Sequence, residues 1–324
     1  MNGSDGLHHS SAPVAPRRRL ASIRCWRETI RPVLEHQAYY AQMLSTLPYT
    51  ALRRITRGRC RGYSMVRLLV QGKHGLEVGG PSTIFCPNRL IPVYDSCRAI
   101  DNCDFSKKNI WRGATDGRYL QRCLGSEFVA EACDLRTIAN ETYDFVLGSH
   151  VLEHVANPLR ALQEWMRVLK PDGGLVIVVP DKRVTFDRLR PYTTFEHLVA
   201  DFQANTPEDD LTHMSEIVEL HDLTLDPGGG SMGQFRERCS RNSKLRAMHH
   251  HVFRPEVLVA MFSHLGMRVL NLAIERRFHI ICLAQKSDPT QWQRVRLDNL
   301  KFLREDADWR RNDPYAGLTL MRRK

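Results

Sequence analysis

Residues 143–183 read YDFVLGSHVLEHVANPLRALQEWMRVLKPDGGLVIVVPDKR, and this stretch decides the fold. It opens on a short apolar run, Phe145 to Leu147, and ends on a five-residue one, Leu175 to Val179. Between them Asn157 is placed to cap a helix, and Pro158 takes the first helical position, where a missing N–H costs nothing. Leu159, Leu162, Trp165, Met166 and Leu169 recur at helical spacing, and Pro171 with Gly173-Gly174 ends the helix. Strand, crossover helix and strand in this order predict neighbouring parallel strands.

Toward the N-terminus the apolar runs Leu76 to Val78, Leu90 to Tyr94 and Phe128 to Ala132 read as three earlier strands. Toward the C-terminus, residues 181–254 intervene before Pro255 opens a helix carrying Val257, Leu258, Met261, Phe262 and Leu265, closed by Gly266. Met267 to Ile274 and Phe278 to Ala284 follow with only Glu275-Arg276-Arg277 between them, so they form an antiparallel hairpin. The insertion at 181–254 is far longer than an ordinary connection. Leaving a strand's carboxyl end, it is expected to be a lid over a ligand.

The 324 residues are 42% apolar and 26% charged, the composition of a globular chain. No purely apolar stretch exceeds six residues, far below the ~20 residues of a membrane span. Nine scattered cysteines without a C-x-x-C pair, and no secretory signal before them, read as reduced thiols in a cytoplasmic protein. The net charge of +11 is unevenly placed. Residues 1–71 carry 12 Lys+Arg against 3 Asp+Glu, residues 288–324 carry 9 against 6, and the middle carries 26 against 27. A balanced centre with basic ends argues against a nucleic-acid groove. The expected layout is a disordered lead at 1–16, a basic helical extension at 17–71, a catalytic domain at 72–287 and a helical tail at 288–324. An amphipathic helix is expected near Trp26 to Leu47.

In open α/β sheets ligands bind outside the carboxyl ends of the strands. After the first strand comes Gly79-Gly80-Pro81-Ser82, where glycines let the backbone approach a ligand closely. After the second comes Asp95, sixteen residues beyond Gly79, suited to a ribose diol. After the third comes Asp134, suited to an exocyclic adenine amine. Together they form a nucleoside-shaped set.

With these residues in place, LEVGGPS (76–82), Asp95, Asp134 and the block from Tyr143 to Arg183 resemble the class I S-adenosylmethionine-dependent methyltransferases, in the branch similar to ubiquinone-biosynthesis O-methyltransferases. The resemblance covers roughly 74–183 and resumes at 249–286. It implies an α/β, Rossmann-like fold: a seven-stranded sheet, mostly parallel with an antiparallel last strand, helices on both faces and a helical insertion after strand five. It also implies S-adenosyl-L-methionine as cofactor, with Glu77 and Gly79 at its methionine end, Asp95 at the ribose, Asp134 at the adenine and Ser149-His150 along the cofactor wall. Pro81 and Thr83 depart from the family's glycine-rich turn. Some quinone O-methyltransferases hold a divalent metal with Glu-x-x-Glu-His. Here the group is His150-Val151-Leu152-Glu153-His154, and an imidazole in place of a hard carboxylate argues against that metal.

Methyl transfer from a sulfonium needs in-line positioning and, for a hydroxyl acceptor, a base. The candidates are His150, His154, Asp181 and one of the run His249-His250-His251, with His251 or His249 favoured by parity. His213, Glu216 and His221 read as a solvated helix side. Lys182, Arg183, Arg188 and Arg190 at the mouth would favour an anionic acceptor. Asp226 to Ser231 is a candidate hinge.

The function expected is therefore methyl transfer to an oxygen or nitrogen of a small-molecule or glycan acceptor. An RNA-binding or scaffold protein using its basic ends is the alternative. A nicotinamide-dependent oxidoreductase is disfavoured by the missing G-x-G-x-x-G.

Overall fold

The computed structural model describes residues 58–107, 124–226 and 228–315. The lead at 1–16 and the helix expected near 26–47 lie outside them. In chain order the elements are α1 (Tyr63–Val70), β1 (His74–Val78), β2 (Ala99–Asp104), β3 (Leu124–Val129), β4 (Tyr143–Ser149), α2 (Pro158–Val168) and β5 (Leu169–Pro180). The insertion follows with α3 (Phe195–Ala204), α4 (Met214–Leu220), α5 (Met232–Ser240) and α6 (Asn242–Leu245). Then come α7 (Pro255–His264), β6 (Met267–Glu275), β7 (His279–Lys286), α8 (Trp292–Asn299) and α9 (Asp308–Arg311).

The strands form one seven-stranded sheet in the order β3-β2-β1-β4-β5-β7-β6. Neighbours from β3 through β5 pair in parallel, and β7 is antiparallel to both β5 and β6. The decisive block folds as its residues dictate. The Asn157 side chain accepts from Arg160 N–H, Pro158 stands at the first turn, and Leu159, Leu162 and Trp165 are buried against the sheet. Trp165 comes so close that a Cβ on Gly148 would lie 2.9 Å from its ring, so β4 needs a glycine there.

The second and third strands are displaced from where the apolar runs put them. Leu90 to Tyr94 is buried but does not pair: it lies across one sheet face with Val66, Leu69, Phe85, Leu147 and Val176. The strand is AIDNCD at 99–104, whose Asp101, Asn102 and Asp104 are buried polar residues. Apolar content marks burial, and a loop laid on a sheet is buried as deeply as a strand. The third strand ends at Val129, three residues before the end expected from the sequence. The opposite face is covered by α2 and α7, and the insertion has its own small core of Ile217, Val218, Phe235, Cys239 and Met248.

No helix among the described residues is long and apolar enough to cross a membrane. None of the described cysteines forms a disulfide.

Candidate active site at the carboxyl edge of the sheet

The turn after β1 is built around a buried carboxylate. Glu77 is fully buried; its Oε1 accepts from Ser82 N–H at 2.9 Å and its Oε2 from the Tyr94 hydroxyl at 2.7 Å. Burial pushes Glu77 up to about 7, against the opposing pull of those donors. Both carboxylate oxygens of Glu77 are thus engaged within the turn. Gly79 adopts φ +72°, and a Cβ there would lie 2.3 Å from Val151. A Cβ on Gly80 would lie 2.3 Å from the Glu77 carboxyl carbon and 2.6 Å from Asn102 Oδ1. Both glycines are required by close approach.

Two of the expected carboxylates are in the wrong place. Asp95 precedes β2, so it lies at the amino edge of the sheet, exposed beside Ser96 in a depression with Arg59, Tyr63, Arg67 and Gln71. Asp134 faces outward and is bound by Arg136, whose hydrogen bonds hold its carboxyl below the usual range. The acids that do stand at the carboxyl edge are Asp104, the last residue of β2, and Glu131, in the turn after β3. Ala130 N–H donates to the Asp104 carbonyl, so the two turns are adjacent. Arg246 from the insertion spans them, 2.6 Å from Glu131 Oε1 and with its guanidinium 5.4 Å from the Phe105 ring.

After β4 the chain turns sharply. Ser149 is the last strand residue and is buried, and His150 takes the left-handed conformation, φ +54°. The His150 ring stacks on Phe278 at 5.3 Å, with Nε2 3.1 Å from His279 Nδ1 and Nδ1 3.3 Å from Glu153 Oε1. Glu153 is fully buried. Burial would raise its carboxyl, but His150, His154 and His249 around it hold it below its ordinary value.

His154 is the best-oriented base. Its Nδ1–H donates to the Met248 carbonyl at 2.9 Å, which makes Nε2 the lone-pair nitrogen. Burial first, and then the charge of His249, lower it to about 3, so it is neutral at neutral pH. The His249 ring lies 4.5 Å away, edge-on. His249 Nδ1–H donates to Asp187 at 2.5 Å, and Asp187 also binds Arg190 at 2.9 Å. Burial works to lower His249, but Asp187 overrides it and holds the imidazole above its ordinary value.

Two expected bases have other employment. Asp181 is gripped by Arg183 at 2.6 Å, and Arg183 continues to Asp313 at 2.7 Å. His251 turns away from His154: its Nε2–H donates to the Ala156 carbonyl at 3.1 Å and its ring faces His197 and His213. Of the two that parity allows, His249 is the one that packs against His154.

The cations at the mouth are also committed. Arg190 is 1% exposed between Asp187 and Glu216, Arg188 pairs with Asp222, and Lys182 donates to the Arg190 carbonyl and sits over Tyr192. Neutralised by the insertion's own acids, they give no support to an anionic acceptor. His213 and His221 do not line a solvated helix side either. His221 is buried against Asp226, which also holds Arg238, so the expected hinge is clamped at its first residue.

Residues 89–177 match a family described as the methyltransferase domain. Over this stretch the chain is similar to methyltransferases. Over 80 residues it is 30% identical to the ubiquinone biosynthesis O-methyltransferase of Parvibaculum lavamentivorans, a match covering 25% of this chain and 30% of that protein. The chain thus spans less than a third of that curated relative's length. Similar solved structures include an S-adenosylmethionine-dependent methyltransferase from Aquifex aeolicus, with TM-score 0.40, 13% identity and coverage of 69% of this chain and 89% of the other. Another, from Methanosarcina mazei, has TM-score 0.39, 15% identity and coverage of 69% and 97%.

The methyltransferase domain presents what an adenosyl group needs. Two acids and an aromatic ring stand together past β2 and β3, and past β1 the two glycines let the turn pack directly on Val151, Glu77 and Asn102. Asn102 there is fully buried with neither side-chain atom hydrogen-bonded. S-adenosylmethionine is the expected cofactor of the domain.

Beside it, Glu153, His154 and His249 bring ligand-type atoms within 4.8 Å of one another. Asp187 and then Glu153 both favour the protonated form of His249.

Proposed function

We propose that the methyltransferase moves a methyl group from S-adenosylmethionine to an oxygen or nitrogen of a small-molecule or glycan acceptor. The bound cofactor supplies an activated methyl on a sulfonium, ready for in-line displacement. This chain's residues then hold the adenosyl end, place the acceptor and take its proton. Asp104 is assigned to the ribose diol and Glu131 to the adenine edge, with Phe105 against the ring. The insertion at 181–254 is assigned to the acceptor side, where Phe186 packs against His249.

The observation that carries this reading is the orientation of His154 next to the strand ends. The Met248 carbonyl sets the tautomer of a neutral His154, to which this reading assigns the acceptor's proton, and Asp187 holds His249 in place beside it. Polar, histidine-rich walls suit a hydroxylated acceptor better than a lipid.

The binding test is isothermal titration with S-adenosylhomocysteine. Asp104→Asn, which loses a charge-assisted hydrogen bond of about 1.5–3 kcal/mol, should weaken binding roughly ten- to hundred-fold. Asp95→Asn should leave it unchanged. The reverse pattern, or no binding by the folded wild-type chain at high micromolar ligand, removes the reading.

A further inference from the structure

Outside the catalytic centre, the insertion gathers a second cluster of titratable side chains with no part in methyl transfer: His197, Asp201, His213 and His251. His197 and Asp201 are four residues apart on α3, so they share one face of the helix. His213 stands immediately before α4, and His251 ends the histidine run that leads back to α7. Three separate segments thus send one side chain or more to a common point. Each offers one ligand-type atom, and all four atoms lie within 4.8 Å of one another.

The distances are those of a coordination shell. His197 Nε2 is 3.0 Å from His213 Nε2 and 3.2 Å from Asp201 Oδ2. The His251 ring centroid lies 5.7 Å from that of His213 and 5.8 Å from that of His197. Ligand atoms at ~2.0–2.1 Å from a tetrahedral zinc stand about 3.3 Å from each other, so small rotations of these side chains suffice.

The surroundings point the same way. Asp201 Oδ2 and His251 Nδ1 are buried and make no hydrogen bond. Buried polar atoms are normally satisfied, and two of them at one cluster call for a partner. The outer contacts match those that orient metal ligands. His251 donates Nε2–H to the Ala156 carbonyl, which leaves Nδ1 the lone pair, and Asp201 Oδ1 accepts from the Thr206 hydroxyl at 3.1 Å.

We propose that His197, Asp201, His213 and His251 form a structural site for a divalent transition metal, zinc by preference, that pins the insertion together. Three imidazoles and one carboxylate suit zinc or cobalt and disfavour magnesium or calcium, which take oxygen shells. Four protein ligands close the shell and leave no position for chemistry. His197, with 41% of its side chain exposed, gives the ion its way in.

The test uses the full chain, stripped with a chelator and titrated with cobalt(II) alone. The expected result is one equivalent giving the visible bands of tetrahedral cobalt, displaced by zinc, with zinc raising the melting temperature. His197→Gln and His213→Gln, checked for folding by circular dichroism, should each lose those bands and weaken binding by more than about tenfold. Glu153→Gln should keep them. Folded wild-type chain that binds neither metal at micromolar concentration overturns the site, as do tetrahedral bands that survive both histidine variants. Bands lost in Glu153→Gln but kept in the histidine variants place the metal at the catalytic centre and equally overturn it.

Discussion

At the scale of single residues, what matters is which charges the fold leaves in water and which it encloses. Glu77 is the clearest enclosed one, at about 7 in the folded chain against an ordinary value of 4.5. Between those two values the folded chain keeps a proton that the unfolded chain has released. Stability therefore falls as pH rises through this window, and the loss is complete above about pH 7. Glu77→Gln keeps an oxygen for Ser82 N–H and stays neutral at every pH. Relative to wild type it should gain stability on going from pH 5 to pH 8, on the order of 2–3 kcal/mol. Urea unfolding at the two pH values reads this out, and an identical difference at both would sink it.

The residue scale is also where the sequence was least legible. Asp95 and Asp134 follow apolar runs, yet both face water away from the site. Asp104 and Glu131 are hidden in the sequence because AIDNCD does not look like a central strand, and because Glu131 lies three residues nearer the strand end than Asp134. The signal that could have found Asp104 is the acid run itself. Polar residues packed into a short segment that leads into an apolar one, Phe105, mark a strand whose end serves a site.

At the scale of elements, local signals carried well where backbone chemistry is involved. Asn157 and Pro158 start α2 as their chemistry requires, Thr194 caps α3 by accepting from His197 N–H, and Gly266 ends α7 at φ +72°. One long-range device was invisible. Asn299, at the end of α8 and 1% exposed, accepts from Val269 N–H at 2.9 Å and donates to the Met267 carbonyl at 2.9 Å. It supplies the partners that the outer edge of β6 would otherwise lack. Asn299→Ala strands these buried groups and should cost about 2–4 kcal/mol. It should also speed amide exchange in β6 more than in β1 or β4, as hydrogen-exchange mass spectrometry can resolve. Uniform acceleration across the sheet would contradict this account.

At the scale of the whole molecule, the insertion is docked on the sheet by contacts that include His154 to the Met248 carbonyl, His251 to the Ala156 carbonyl and the side chain of Arg246. It reaches Glu131 at 2.6 Å and the Glu208 carbonyl at 2.7 Å from a backbone at φ +48°. Arg246→Ala should leave the sheet's unfolding transition within about 1 kcal/mol of wild type, since Glu131 is itself 42% exposed. Limited proteolysis should then cut within 205–231 several times faster. Unchanged cleavage there would mean that the insertion's own core, and not its docking, holds it down.

The sequence alone determined the parallel sheet with its antiparallel last strand, the helix over 158–168, the closing hairpin and the methyltransferase resemblance. All of these depend on periodicity, capping and turn chemistry, which act over a few neighbouring residues. Only the tertiary structure decided which acids stand at the strand ends, that His249 and not His251 joins His154, that the mouth's arginines are spent on Asp181, Asp187 and Asp222, and that four insertion side chains converge. Those facts depend on register, on burial and on partners far apart in the chain. A shift of one residue in a strand moves a side chain to the opposite face, and no local pattern records which distant group will meet it there.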